Sequence, residues 1–288
     1  MKTETNHALY QLIRDYMNAM GTSHTTLVAL DTYMDAIGRI KCPEAAFMDH
    51  LMELNNVICN TEPKVVPLVH LIEEFKTEMQ SCRDRSLEEA KQRAVAILRQ
   101  KRERFESDTR KVTENCVQNI APDDFIIAHS STGYIRNAFI YAHVELKRKF
   151  RVLILKNNFL RTKNLVGALE QHQIPHLVIP EYNLSHFLQH TNRLFIGAVS
   201  VTADKQAVTG IGTANVVSLC RWHRVPVYLF VETIKFSHKA LPDQHIYKEE
   251  QDHAETDFTF HMTTFSHDFI GLQMVDHLIT EKGEAKLP

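Results

Sequence analysis

The run Phe125-Ile126-Ile127-Ala128-His129 has the composition of a short buried strand, and it passes directly into Ser130-Ser131-Thr132-Gly133 and a helical pattern. Three hydroxyls and unpaired backbone N–H groups thus gather at a helix N-terminus, where the aligned peptide dipoles favour a negative charge. Capping accounts for one such hydroxyl, and three with a glycine exceed what a cap requires. The chemistry expected of His129, Ser130, Ser131, Thr132 and Gly133 is therefore anion binding. A second glycine-bearing helix start, Thr209-Gly210-Ile211-Gly212-Thr213, either lets backbone approach a ligand at Gly212 and Thr213 or simply turns the chain. A nucleophilic Ser130 with His129 as its base fails locally, because adjacent residues of an extended chain point to opposite faces. The segment also lacks the GxSxG pattern of a nucleophile elbow.

The elements that must position these residues change character near Pro122. From Asn6 to about Asn119 apolar residues recur at three and four, as in Leu27, Leu30, Met34 and Ile37 and again through Val65 to Phe75, which predicts a bundle of short helices. Gly21, Gly38 with Cys42-Pro43, and Glu62-Pro63 punctuate it. Over Ser86 to Asn119 the apolar positions Leu98, Phe105 and Val112 stand seven apart, the mark of one long helix with a narrow seam. Arg83 to Lys111 carries ten basic and six acidic residues, which reads as a solvated helix linking two domains.

Beyond Pro122, short β-rich runs alternate with helix-length segments: Phe125 to His129, Val152 to Leu155, His176 to Ile179, Leu194 to Ala198, Val225 to Val231 and Phe258 to His261. Helices are expected at Tyr134 to Lys149, Lys163 to Gln171, Leu184 to His190, Thr213 to His223 and His267 to Thr280. The predicted architecture is α/β: a helical domain over 1–120, then a Rossmann-like domain over 121–288 with a parallel sheet of about six strands. Ligands of such sheets sit beyond the strand carboxyl ends.

Composition bounds the function. The 288 residues carry 33 Lys+Arg against 35 Asp+Glu, a net charge of −2 that gives no basis for nucleic-acid binding through counterion release. Nine glycines in a chain 44% hydrophobic argue against a many-stranded all-β fold. Five widely spaced cysteines make neither a disulfide framework nor a zinc knuckle, and the 17 histidines are scattered, with Cys220 and His223 the one tight Cys/His pair. Neither a metal nor a cofactor is expected. No apolar run reaches the roughly 18 residues of a membrane span, and the start lacks a signal-peptide core, so a soluble cytoplasmic protein is predicted.

The succession FIIAHSSTGYIRNAF, LFIGAVSV, TGIGT, PVYLFVETIKF and LITEKG resembles the superfamily of the alpha, beta and delta regulatory subunits of eukaryotic translation initiation factor 2B, with the methylthioribose-1-phosphate and ribose-1,5-bisphosphate isomerases. MGTSHTTLVAL and EPKVVPLVHL extend it into the helical half. The resemblance implies a helical domain, a Rossmann-like domain and a homodimer or higher oligomer formed through the second.

It also implies where isomerase chemistry would sit, and the chain departs there. Ser130 stands at the family's catalytic Cys position and Val199 at its Asp position. A serine hydroxyl exchanges protons poorly near neutral pH and a valine cannot. Met20-Gly21-Thr22 replaces a phosphate-binding Arg-Gly-Ala, the 209–213 loop lacks the family's Asn and Lys, and Lys156-Asn157-Asn158-Phe159 lacks an acidic residue and an Arg. Arg136 and Lys235 remain as candidate charge partners. The expected role is a non-catalytic regulatory or scaffold protein that binds a partner protein and a sugar phosphate or nucleoside monophosphate. The alternative is an aldose-ketose isomerase with rearranged groups, for instance Asp204 or Lys205.

Overall fold

The computed structural model describes residues 16–17, 20–61, 64–82, 86–129, 132–156, 159–238, 248–255 and 258–286. The chain divides into two compact units, Met1–Lys111 and Val112–Pro288. The punctuation expected at Glu62-Pro63 lies outside the described residues.

The first unit is helical. It holds α1 (Thr22–Arg39), α2 (Glu44–Asn60), α3 (Val66–Met79) and the start of α4 (Leu87–Gln118). Gly21 enters α1 at φ 81°, a conformation that suits glycine. Leu30, Tyr33 and Ile37 form the buried stripe of α1, and the Tyr33 hydroxyl donates to Asn55 Oδ1 of α2 at 2.6 Å, which satisfies a phenol inside the core. The start of α4 is a capping box: Glu89 accepts from the Ser86 N–H and the Ser86 hydroxyl accepts from the Glu89 N–H. Leu98, Phe105 and Val112 are all buried along its seam, as their spacing predicts. Lys101 is buried too, its ammonium bound by Glu74 and Glu78 at 2.9 and 2.7 Å.

The second unit is built on a seven-stranded sheet. Its strands, in chain order, are β1 (Phe125–Ala128), β2 (Arg151–Lys156), β3 (His176–Pro180) and β4 (Arg193–Gly197). After them come β5 (Ser200–Val201), β6 (Gln206–Gly210), β7 (Val227–Phe230), β8 (Lys248–Glu255), β9 (Phe258–Phe265), β10 (His267–Gly271), β11 (His277–Thr280) and β12 (Gly283–Ala285). The large sheet runs β12-β11-β7-β4-β1-β2-β3, parallel except for β12. Helices α5 (Gly133–Val144), α6 (Phe159–Gln171) and α7 (Thr213–Trp222) connect its strands.

Alternate residues of the central strands β1, β2, β4 and β7 enter two separate cores. Ile127, Leu153, Ile196 and Leu229 pack with Val216, Val217 and Cys220 of α7. Ile126, Val152, Phe195 and Phe230 pack with Ile135, Ala138 and Phe139 of α5 and with Val112 and Cys116 of α4. Burial on both faces is why these strands read as unbroken apolar runs.

The end of the chain departs from the expectation. His267 to Thr280 is not a helix: it forms β10, a short 3-10 turn and β11. The slot beside β7 demands a strand apolar on both faces, and Leu278 enters one core while Ile279 enters the other. The run Phe258 to His261 is a strand, yet it belongs to β9, which pairs antiparallel with β8 in a separate two-stranded sheet. Antiparallel pairing recurs in the three-stranded sheet β10-β6-β5. The helix expected at Leu184 to His190 is two 3-10 turns, Glu181–His186 and Leu188–His190.

Phe195 sits at the centre of the second core, fully buried, with its ring 4.8 Å from that of Phe230 and 6.0 Å from that of Phe139. Truncation by Phe195→Ala leaves a cavity no neighbour can fill, and is expected to cost about 3–5 kcal/mol. Urea unfolding followed by far-UV circular dichroism checks this, and a loss below about 1 kcal/mol would mean the core collapses around the gap.

Candidate functional site

The chain runs from β1 outward to β2 and β3, then returns to place β4 on the other side of β1. The strand order reverses there, and the carboxyl ends of β1 and β4 flank the crevice in which such sheets hold ligands. His129, Thr132 and Gly133 after β1 and Ala198 and Val199 after β4 come to this edge.

His129 is buried at the end of β1, and its N–H donates to the Phe195 carbonyl at 3.3 Å. Ser130 and Ser131 lie outside the described residues. Thr132 occupies the cap position of α5 in an extended conformation, but its side chain makes no capping hydrogen bond. Its methyl instead rests on Gly197: a Cβ at 197 would lie 2.2 Å from Thr132 Cγ2 and 3.1 Å from the Tyr134 hydroxyl. Gly197 is thus required by close approach, whereas a side chain at Gly133 would meet nothing. Arg136 lies in the first turn of α5, and its Nε donates to Asn137 Oδ1 at a long 3.5 Å.

Lys235 follows β7 and is 1% exposed. Its ammonium pairs with Glu232, itself fully buried, at 2.8 Å, donates to the Ala198 carbonyl at 3.3 Å and stands 5.5 Å from the centroid of the Tyr134 ring. The Tyr134 hydroxyl donates to the Phe230 carbonyl at 2.7 Å, and burial, then the Glu232 charge, pushes its pKa up. One cluster therefore ties the ends of β1, β4 and β7 together. Lys235, expected as a candidate charge partner for a ligand, is here paired with Glu232.

The second helix start is also changed by its surroundings. Gly212 has φ 86°, and Thr213 is buried with its hydroxyl donating to the Gly210 carbonyl at 2.5 Å. The chain's own carboxylates fill the position expected for a ligand anion: Asp268 Oδ2 accepts from the Ala214 N–H at 2.9 Å, and the Glu181 carboxylate lies where a Cβ on Gly212 would clash at 2.4 Å. Partial burial, then the Asp268 charge, raises the Glu181 pKa. Gly212 and Thr213 therefore open onto acidic groups.

Val199 lies two residues beyond the β4 end, and its N–H donates to the Val208 carbonyl. Asp204 and Lys205 form the exposed tip of the β5–β6 hairpin. Among the described residues no group of three or more His, Cys, Asp or Glu is placed to hold a metal ion, and no helix is long and apolar enough to cross a membrane. The thiols of Cys116 and Cys220 are buried, and burial pushes Cys220 up to about 12, so it supplies no thiolate at neutral pH.

Glu181, Asp268, Glu232, Tyr134 and Gly197 were not singled out from the sequence. The i,i+3 spacing of Glu232 and Lys235 and a glycine ending an apolar strand were available signals. Asp268 had none, being 54 residues from the N–H it binds.

The family model described as the Initiation factor 2 subunit family matches residues 18–286. The Dictyostelium discoideum translation initiation factor eIF2B subunit delta is 20% identical over 82% of this chain, which spans only 41% of that relative. A ribose 1,5-bisphosphate isomerase of Archaeoglobus fulgidus is 23% identical, with 83% of this chain and 74% of the relative covered. Among solved structures, the Pyrococcus horikoshii translation initiation factor eIF-2B shares the fold at a TM-score of 0.74, with 23% identity and 96% of each chain covered. The tetrameric eIF2B-beta2-delta2 complex from C. thermophilum does so at 0.70, with 13% identity and 99% and 91% covered.

Two expectations follow from this geometry. Because Glu181 binds its proton more tightly in the folded chain than in the unfolded one, its ionisation costs stability as pH rises from the usual carboxylate range, about 4.3, through its raised value. Glu181→Gln should therefore stabilise the protein at pH 7, and the gain over the parent should fade toward pH 4 in parallel thermal melts. Lys235→Met strands the Glu232 carboxylate and should cost about 3–5 kcal/mol, with Glu232→Gln in the same chain recovering much of it. Equal stability of the two variants would show that the pair is not what holds these strand ends.

Proposed function

The chain belongs to the initiation factor 2 subunit family, and on that premise we propose that it is a non-catalytic, alpha-type regulatory or scaffold member. Its work is to present a surface to a partner protein and to hold a small phosphorylated ligand, a sugar phosphate or nucleoside monophosphate, at the start of α5. The observation that carries this reading is the chemistry flanking the switch point. Ser130 follows β1 and Val199 follows β4, at the positions where the resemblance places an isomerase's thiol and carboxylate. The neighbouring ionisable groups, Glu232 and Lys235, neutralise each other. Proton transfer between two sugar carbons needs an acid and a base in reach, and neither a serine hydroxyl nor a valine at these two positions supplies one.

The ligand seat is the run 129–133, where helix dipole and backbone donors act with Arg136 as the neighbouring cation. With so little side-chain charge, affinity is weak and falls steeply with salt. A homodimer or higher oligomer is supported by the fold shared with the beta2-delta2 tetramer, and the resemblance implies that it forms through the second unit.

A second reading, an isomerase with rearranged groups, is favoured by Glu181, whose raised carboxyl follows β3 at the same edge of the sheet. The two readings part in one assay. Incubation with ribose 1,5-bisphosphate or methylthioribose 1-phosphate should give no product above the buffer rate, while either sugar phosphate raises the melting temperature by mass action. Turnover abolished by Ser130→Ala or Glu181→Gln would overturn the non-catalytic reading. Sedimentation should show a dimer or larger at micromolar concentration, and a strict monomer would remove the scaffold role.

A further inference from the structure

The crossover from β3 to β4 is made by two 3-10 turns where a full helix would ordinarily cover the sheet. A cleft of about 570 Å³ lies there at the amino ends of β1, β2 and β3. Its wall is formed by Phe125, Arg151, His176 and Leu177 of the strands and by Phe187 and His190 of the crossover. In register Phe125 faces Arg151 and Leu153 faces Leu177, so Phe125, Arg151 and Leu177 lie on one face of the sheet, the face that carries Ile127 and Leu153 into the core. Leu177 on that face is nevertheless 43% exposed.

Arg151, His176 and His190 line the wall, and among the described residues no carboxylate does. The Arg151 guanidinium stands 4.4 Å from the Phe125 ring centroid and makes no ion pair among the described residues. His176 donates from Nδ1 to the Ile174 carbonyl at 2.9 Å, which leaves Nε2 as its second ring nitrogen. The volume falls within the range of small-molecule pockets.

We infer that this cleft binds a small amphipathic anion, with a flat apolar body of naphthalene size against Phe125, Leu177 and Phe187 and a carboxylate held by Arg151. A carboxylate matches the guanidinium fork, and Arg151 is already held in place by the Phe125 ring. The cleft opens at the amino edge of the sheet, the end opposite the α5 start, so it stands or falls independently of the function proposed above.

Isothermal titration calorimetry of the full chain with 2-naphthoate, against the neutral 2-naphthamide, tests it. One saturable site per chain is expected, with the carboxylate bound at least about tenfold more tightly than the amide, as one charge-assisted pair implies. Arg151→Gln should remove that preference while leaving the amide's affinity unchanged. Leu177→Glu, a substitution at an exposed position, should weaken both ligands about tenfold or more. Thermal unfolding of each variant confirms that it folds. Saturation absent at about 1 mM, equal affinity for acid and amide, or parent-like binding by both variants would overturn the assignment. Binding confined to acidic aromatic peptides would overturn it as well, since the cleft would then serve a protein partner.

Discussion

A parallel sheet buried on both faces must be apolar at nearly every strand position, so polar chemistry is driven to its two edges. That constraint shapes the second unit. Phe125 to Ala128, Val152 to Leu155 and Val227 to Phe230 have no polar side chain that seeks water except the Tyr228 hydroxyl, and their residues alternate between two cores. Charged and hydroxylic side chains collect where the strands end.

At the carboxyl edge the accumulated polarity is largely spent on the protein itself. Glu232 and Lys235, both 1% exposed as side chains, form a pair that would be costly to bury singly, and Tyr134 and Ala198 complete its surroundings. At the start of α7, Asp268 and Glu181 take the place an external anion would occupy. Both arrangements turn potential ligand-binding groups into internal ties. The start of α5 is different, because Thr132 leaves the cap unmade and spends its methyl on Gly197.

The amino edge has the opposite economy. The short crossover between β3 and β4 leaves Leu177 exposed and Arg151 without an acidic partner among the described residues, so this end keeps unspent apolar surface and charge.

The elements legible in the sequence were those whose signal is local. The seven-residue spacing of Leu98, Phe105 and Val112 identified the long helix, because one face of a helix repeats at that interval. The apolar runs at 125–128, 152–155 and 227–230 identified buried strands, and the Ser-Ser-Thr-Gly run marked a helix start, since burial and capping each leave their mark within a few residues. What the tertiary structure alone decided was non-local. His277 to Thr280 became a strand because β7 had an open edge to pair with, and a four-residue segment carries too little periodicity to announce that. Asp268 became the cap of α7, and Lys235 became a buried ion pair, only through neighbours brought close by the fold. Residue type states what a side chain can do, but the charge, burial and partners that decide what it does are set by residues distant along the chain.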